Sequence, residues 1–363
     1  MRRDLATYDG ALMARHVWRA LGVHPRTLAG PAYTRVFTGY WTPTDHPASL
    51  NTMCWVLQRA ILPDAVICGA TAALLHGIAL PAAFEDGIAL LRPRFEDEHL
   101  YAASSMPAVP SVRRGASLRT GAKLPNIHVR LDPRTPVTRR RGMVIHRFES
   151  GPTAQRGRVR LSSVVEVLRE LAADLPLYDL VAAIDGVIGA GQPVRGVTRE
   201  DIAARIAVLG ARPGIARLRE ALDRSRENVR SPSESVMRML IVDAGLPEPR
   251  VNVAVLDPET GQLRVLDLVW EGAMRVLEYD GDVHRTKARW REDETRADEL
   301  RALGWDIVRA NGDDLLRPLR ILLRVAKALR RRGIEVPSDE RIRAFVASLP
   351  SRDLSLRLAE EQL

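Results

Sequence analysis

The sequence predicts a mixed chain, part α/β and part α+β, and three observations carry that prediction. Helical apolar patterns and short β-type runs alternate along most of the 363 residues. The middle, from about Ser163 to Arg226, reads as successive helices around a Gly/Pro loop at Gly189 to Gly196. Towards the C-terminus two β-type runs face each other across a glycine-containing break, with helical patterns on both sides. At about 150 residues per domain, the length holds two or three domains. The expected organisation is an N-terminal module over 1–80, a mixed strand region over 81–160, a helical connector over 161–230, a second mixed domain over 231–335 and a polar tail over 336–363.

Composition sets the class. A hydrophobic fraction of 46% and a charged fraction of 27% are those of an ordinary globular protein. Lys and Arg number 54 against 45 Asp and Glu, a net charge of +9. That surplus permits polyanion binding, and its arginine richness suits forked contacts to phosphate. Cys54 and Cys68 are the only cysteines and form no CxxC pattern, which excludes a disulfide framework and a cysteine zinc site. The start, MRRDLATYDG, lacks the apolar run of a secretory signal. No apolar stretch approaches the ~18–20 residues of a membrane span. A cytoplasmic protein without a membrane partner is expected.

In the first block a helical pattern (Ala11 to Leu21) and a Gly-His-Pro break precede the β-type run TRVFTGYW, an order that suits a degenerate winged helix. Arg15, Arg19, His24, Arg26 and Arg35 form either a phosphate-contacting set or an ordinary solvated face. Helices are expected over Ser49–Leu62 and Ala70–His76, around the buried run AVICG. His76, in a last helical turn, reads as a group meeting terminal carbonyls and the helix dipole. Arg92 to Arg119 has the prolines and low periodicity of a surface loop. NIHVRLD and GMVIHRFE then alternate as strands, with Arg139 to Arg141 at an expected hairpin tip between them. Ser163 with Glu166 is a capping-box signature. Helices follow over Tyr178–Ile188, Arg199–Leu209 and Gly214–Arg226, and Gly189 to Gly196 lacks the spacing of a phosphate loop.

Ser231-Pro232-Ser233-Glu234 opens the next helix with an N-cap serine, an N1 proline and an N3 glutamate. LRVLDLVW (Leu263 to Trp270) and MRVLEYDG (Met274 to Gly281) flank Glu271-Gly272-Ala273 as a hairpin. Each run carries acid in its middle: Asp267 shares a strand face with Val265 and Val269, and Glu278 shares one with Val276 and Asp280. Ionised carboxylates at half-buried positions need a compensating cation, which a hard divalent ion such as Mg²⁺ supplies. The competing reading makes Asp267 and Glu278 edge-strand charges paired with Arg264 or Arg275. Asp280-Gly281 also reads as a turn dipeptide. His284, near the strand end, is either a proton relay at neutral pH or a surface-loop histidine. Lys287, Arg289 and Arg291 make the mouth of this region basic. An amphipathic helix (Ala288 to Leu303), a strand (Trp305 to Asn311) with a solvent-facing Asp306, and a helix over Leu315–Arg332 complete the domain. The last helix has Arg317, Arg320, Arg324, Lys327 and Arg331 along one side.

Asp267, then Glu278-Tyr279-Asp280-Gly281 and His284, resemble the core of the PD-(D/E)xK nuclease superfamily, specifically its very-short-patch-repair-like endonuclease domains. The resemblance covers about Ser231 to Gly333. It implies a restriction-endonuclease-like αβββαβα core, Mg²⁺ or Mn²⁺ held by Asp267, Glu278 and Asp280, and DNA as substrate. It also makes Glu234 the first-helix acid facing the metal. Many superfamily members carry lysine where this chain has Asp280, so the general base falls to His284 or Lys287. Residues 1–80 resemble the AbiEi-type antitoxin N-terminal domain. Three functions follow: a metal-dependent DNA endonuclease using Asp267, Glu278, Asp280, Glu234, His284 and Lys287, with Arg289, Arg291, Arg317, Arg320 and Arg324 on the backbone; a non-catalytic DNA-binding regulator of the antitoxin kind, with a toxin or repair partner; or a helical scaffold, which the convergent acids disfavour.

Overall fold

The computed structural model describes residues 5–80, 126–136, 141–148, 151–189, 196–256, 261, 263–280 and 298–349. The chain is a mixed α and β protein of two compact units, Met1–Asp174 with Ala207–Leu209, and Leu175–Ile206 with Gly210–Leu363. Among the described residues no helix is long and apolar enough to cross a membrane.

The first unit opens with a three-stranded antiparallel sheet in the order β1-β3-β2, made of β1 (Met13–Ala14), β2 (Tyr33–Phe37) and β3 (Tyr40–Pro43). Helices α1 (Arg15–Ala20) and α2 (Pro25–Leu28) lie between β1 and β2 in the chain. The helix expected from Ala11 starts only at Arg15, because Met13 and Ala14 pair with Trp41 and Tyr40. TRVFTGYW, expected as one strand, is a hairpin: Gly39, at φ +86°, supplies the left-handed turn residue. Trp18 is buried among Val23, Leu28 and Tyr33 and donates its indole N–H to Trp41 O at 3.1 Å.

A second sheet in this unit runs β6-β5-β4-β8-β7. Its strands are β4 (Val66–Ile67), β5 (Ile127–Leu131), β6 (Met143–Arg147), β7 (Thr153–Arg156) and β8 (Val159–Ser162). No hairpin joins β5 to β6. They are parallel, Ile127 beside Met143 and Leu131 beside Arg147. Arg141 therefore leads into a parallel strand, while Arg139, Arg140 and the loop expected over Arg92–Arg119 lie outside the described residues. The helices are α3 (Leu50–Val56), α4 (Gly69–His76) and α5 (Val164–Leu171), with α4 packed on α5. Ser163 Oγ accepts the Glu166 N–H as expected. The reciprocal half of the box is not made, because the Glu166 carboxylate turns to Arg169 at 2.7 Å and Arg130 at 3.5 Å. His76 is buried and structural, its Nε2 paired with Ser162 O at 2.8 Å rather than with its own helix.

The second unit begins with α6 (Leu177–Ile188), α7 (Arg199–Leu209) up to Ile206, α8 (Ile215–Arg224) and α9 (Pro232–Asp243). Helix α6 packs on both α8 and α9. A buried ion pair ties α6 to α9: Arg238, 1% exposed, reaches Asp185 at 3.4 Å. Asp185 also accepts from Ser235 Oγ at 2.8 Å and Arg226 N–H at 2.7 Å, and Arg238 donates to Arg224 O at 2.7 Å and Glu248 at 3.0 Å. Beyond α9 lies a four-stranded sheet in the order β12-β11-β10-β9, from β9 (Arg250–Leu256), β10 (Leu263–Trp270), β11 (Arg275–Asp280) and β12 (Asp306–Asn311). The first three are antiparallel in sequence, and β12 returns parallel to β11. Leu266, Val269, Val276, Leu300 and Trp305 form a buried cluster about the sheet. The helix expected over Leu315–Arg332 is two helices, α10 (Gly312–Leu316) and α11 (Pro318–Arg330). Pro318 cannot donate into a continuing helix but is pre-set for a first turn, so a second helix starts there. A last helix, α12 (Asp339–Ser348), packs on α11.

Candidate functional site

Asp267 and Glu278 stand within β10 and β11, the two inner strands of the second unit's sheet. The register pairs Leu268 with Leu277, and one step further along the same register sets Asp267 opposite Glu278. Facing residues of an antiparallel pair have Cβ atoms about 5 Å apart on one sheet face. The ladder between the strands ends at Leu268 and Leu277, and beyond it Asp267 Oδ2 accepts the Tyr279 N–H at 2.9 Å. The Asp267 side chain thus takes up a strand amide and is fixed in orientation. Both acids are half-buried.

The edge-strand reading of these acids does not fit. Their strands are inner ones, and the two arginines it needed are engaged elsewhere: Arg264 with Glu299 at 2.6 Å, Arg275 with Asp306. Asp306 is 55% exposed, yet it serves as the partner of an arginine buried between β11 and α11.

Glu234 is buried at the third position of α9. Its Oε1 accepts from Ser231 Oγ at 2.8 Å, and its Oε2 accepts from Arg230 N–H at 3.1 Å and Asn252 Nδ2 at 2.7 Å. The cap expected from the sequence is present, and the added partner is one that sequence reasoning missed. Asn252 lies in β9, where its only signal is that asparagine is unusual inside a β-type run. Its backbone has φ +49°.

Asp280 ends β11 beside Asn311 of β12. Its side chain, together with His284, Lys287, Arg289 and Arg291, lies outside the described residues. Among the described residues no group of three or more His, Cys, Asp or Glu is set to hold a metal. Asp267 and Glu278 carry hard oxygens, whose chemistry would suit Mg²⁺ or Mn²⁺ rather than a soft metal. On α11 and just before it, Arg317, Arg320 and Arg324 are exposed. Arg320 also bonds Asp314 at 2.8 Å, and Arg324 donates to Arg309 O at 3.2 Å.

Two uncharacterized proteins of Mycobacterium tuberculosis, one from strain CDC 1551 / Oshkosh and one from strain ATCC 25618 / H37Rv, are similar to this chain. Each is 31% identical over 212 residues, which is 56% of this chain and 74% of the relative. The chain belongs to the family of these mycobacterial proteins. No family model matches it, and no solved structure matches it.

Proposed function

We propose that the protein is a metal-dependent endonuclease that hydrolyses DNA phosphodiester bonds, of the very-short-patch-repair-like kind, acting in the cytoplasm. The observation that carries this reading is the register of the inner strands, which, continued one step past Leu268 and Leu277, sets Asp267 opposite Glu278, with Asp267 held by the Tyr279 N–H. The order α9, β9, β10, β11, a helical segment at 298–302, β12, then α10 and α11, supports a restriction-endonuclease-like αβββαβα core whose last helix is broken in two.

In this reading Mg²⁺ or Mn²⁺ would be held by Asp267 and Glu278, with Asp280 as a further oxygen. When bound, it supplies Lewis-acid activation of water and charge neutralisation at the phosphate. The chain's own groups do the rest. The Tyr279 N–H keeps Asp267 from rotating out of place. Exposed Arg317, Arg320 and Arg324 would meet backbone phosphates, the role also assigned to Arg289 and Arg291. Proton transfer falls to His284 or Lys287.

The test is incubation of purified protein with supercoiled plasmid and with mismatch-bearing duplex, in Mg²⁺, Mn²⁺ or chelator, beside Asp267→Ala and Glu278→Ala. Metal-dependent cutting that both substitutions reduce by at least about a hundredfold is the expected result. Cleavage retained by Asp267→Ala sinks the assignment.

A second reading, a non-catalytic DNA-binding regulator of the antitoxin kind with a toxin partner, is favoured by one observation. Short helices α1 and α2 followed by the β2–β3 hairpin give the helix-helix-wing order of a winged-helix module. A sequence-specific footprint with no cutting on any substrate supports this alternative.

A further inference from the structure

Asn252 is held in a conformation that its own strand does not need. In β9 the pairs Val253–Leu266 and Val251–Leu268 are made on either side of it, so the register carried across the gap sets Asn252 opposite Asp267, a pair that the ladder itself does not make. Its φ of +49° lies in the left-handed region, which asparagine tolerates better than most side chains but which β-strands do not use. The conformation is matched by what the side chain does: Nδ2 gives one proton to Asn228 O at 2.7 Å and the other to Glu234 Oε2 at 2.7 Å. Helix α9 does not need that bond for its start. Ser231 Oγ caps the Glu234 N–H, and the Glu234 carboxylate already accepts from Ser231 and from Arg230 N–H. The amide of Asn252 is therefore surplus to the helix cap, and it joins a buried carboxylate to the strand that faces Asp267. Asp267 is held from the opposite side by β11, through Tyr279 N–H.

We propose that Asn252 is a positioning residue of the acidic site: it ties Glu234 to the strand facing Asp267 and thereby sets how tightly Asp267 and Glu278 hold a divalent cation. This rests on the endonuclease reading only in requiring that the pair binds such a cation. Asn252 touches no reacting atom and acts through Glu234. Outer partners of metal ligands commonly change affinity by about tenfold to a hundredfold.

The experiment titrates Mn²⁺ into the full chain, following the paramagnetic signal of free Mn²⁺, for wild type, Asn252→Gly, Glu234→Gln and the double variant, with thermal unfolding of each in chelator. Glycine keeps the left-handed backbone without strain while deleting the amide. The expected result is Mn²⁺ affinity weakened about tenfold or more in Asn252→Gly at temperatures where it is fully folded, a similar loss in Glu234→Gln, and no further loss in the double variant. Wild-type affinity in Asn252→Gly overturns the proposal while leaving the cation site standing. If wild type binds no Mn²⁺, the proposal falls together with the reading beneath it. Should Asn252→Gly prove poorly folded, Glu234→Gln decides: affinity unchanged in that variant also overturns the proposal.

Discussion

His128 and His146 lie on neighbouring strands of the first unit, with His146 Nε2 3.1 Å from His128 Nδ1. Burial, and then the neighbouring His146, push His128 down to about 4, against an opposing pull from Asp174. Burial lowers His146 as well, again opposed by Asp174. An unfolded histidine binds its proton near pH ~6.5, so as pH falls below that value the unfolded chain gains protons that the folded chain refuses. The His128 contribution to stability should therefore be complete above about pH 7 and be lost towards pH 4, by on the order of 2–3 kcal/mol. Urea unfolding across that range checks it: His128→Gln should make the fall shallower, and an unchanged slope places the acid sensitivity elsewhere. Burial also raises the thiols of Cys54 and Cys68. Both should resist alkylation in the folded protein and react once it is unfolded, which a mass-spectrometric time course reads directly.

At the scale of elements, what was legible in the sequence is what local chemistry decides. Ser231, Pro232 and Glu234 specify the start of α9 within four residues, and the structure starts the helix there. Replacing Ser231 by Ala should cost about 1 kcal/mol, seen as a lower unfolding midpoint of the second unit. Glu271-Gly272-Ala273 likewise marks the turn between β10 and β11, where Met274 takes φ +50°. Pairing between distant segments was not legible. Alternation in NIHVRLD and GMVIHRFE shows two strands but not their direction, because parallel and antiparallel partners share the same period of two. Nor does helical periodicity anticipate Arg238, a charged residue buried on α9, since its partner Asp185 lies on another helix. Arg238→Ala leaves that carboxylate without its cation, and a loss of about 3–5 kcal/mol is expected by calorimetry. The candidate site divides in the same way. Asp267 and Glu278 stood out as acids inside β-type runs, whereas Asn252 took its role only from a backbone angle and from partners at Asn228 and Glu234.

For the whole molecule, the net charge of +9 is spread over the chain, and DNA affinity should report where it matters. Each phosphate neutralised by a basic side chain releases counterions and adds about −0.9 to the slope of log affinity against log salt. Converting exposed Arg317, Arg324 and Lys327 to Gln should make that slope shallower by about one for every phosphate left unneutralised, measured by fluorescence anisotropy on duplex at several salt concentrations. A slope that does not move removes α11 from the DNA track. Asn252 has a further consequence, for how molecules of this protein meet one another in concentrated solution. Strand β9 is an outer strand of its sheet, and near its end Leu256 and Leu263 are 59% and 64% exposed. A straight outer strand with such a tip is a template on which another chain can add its own strand, the first step towards fibrous aggregation. The left-handed residue in the middle of β9 breaks the regular row of amides and carbonyls that such growth requires.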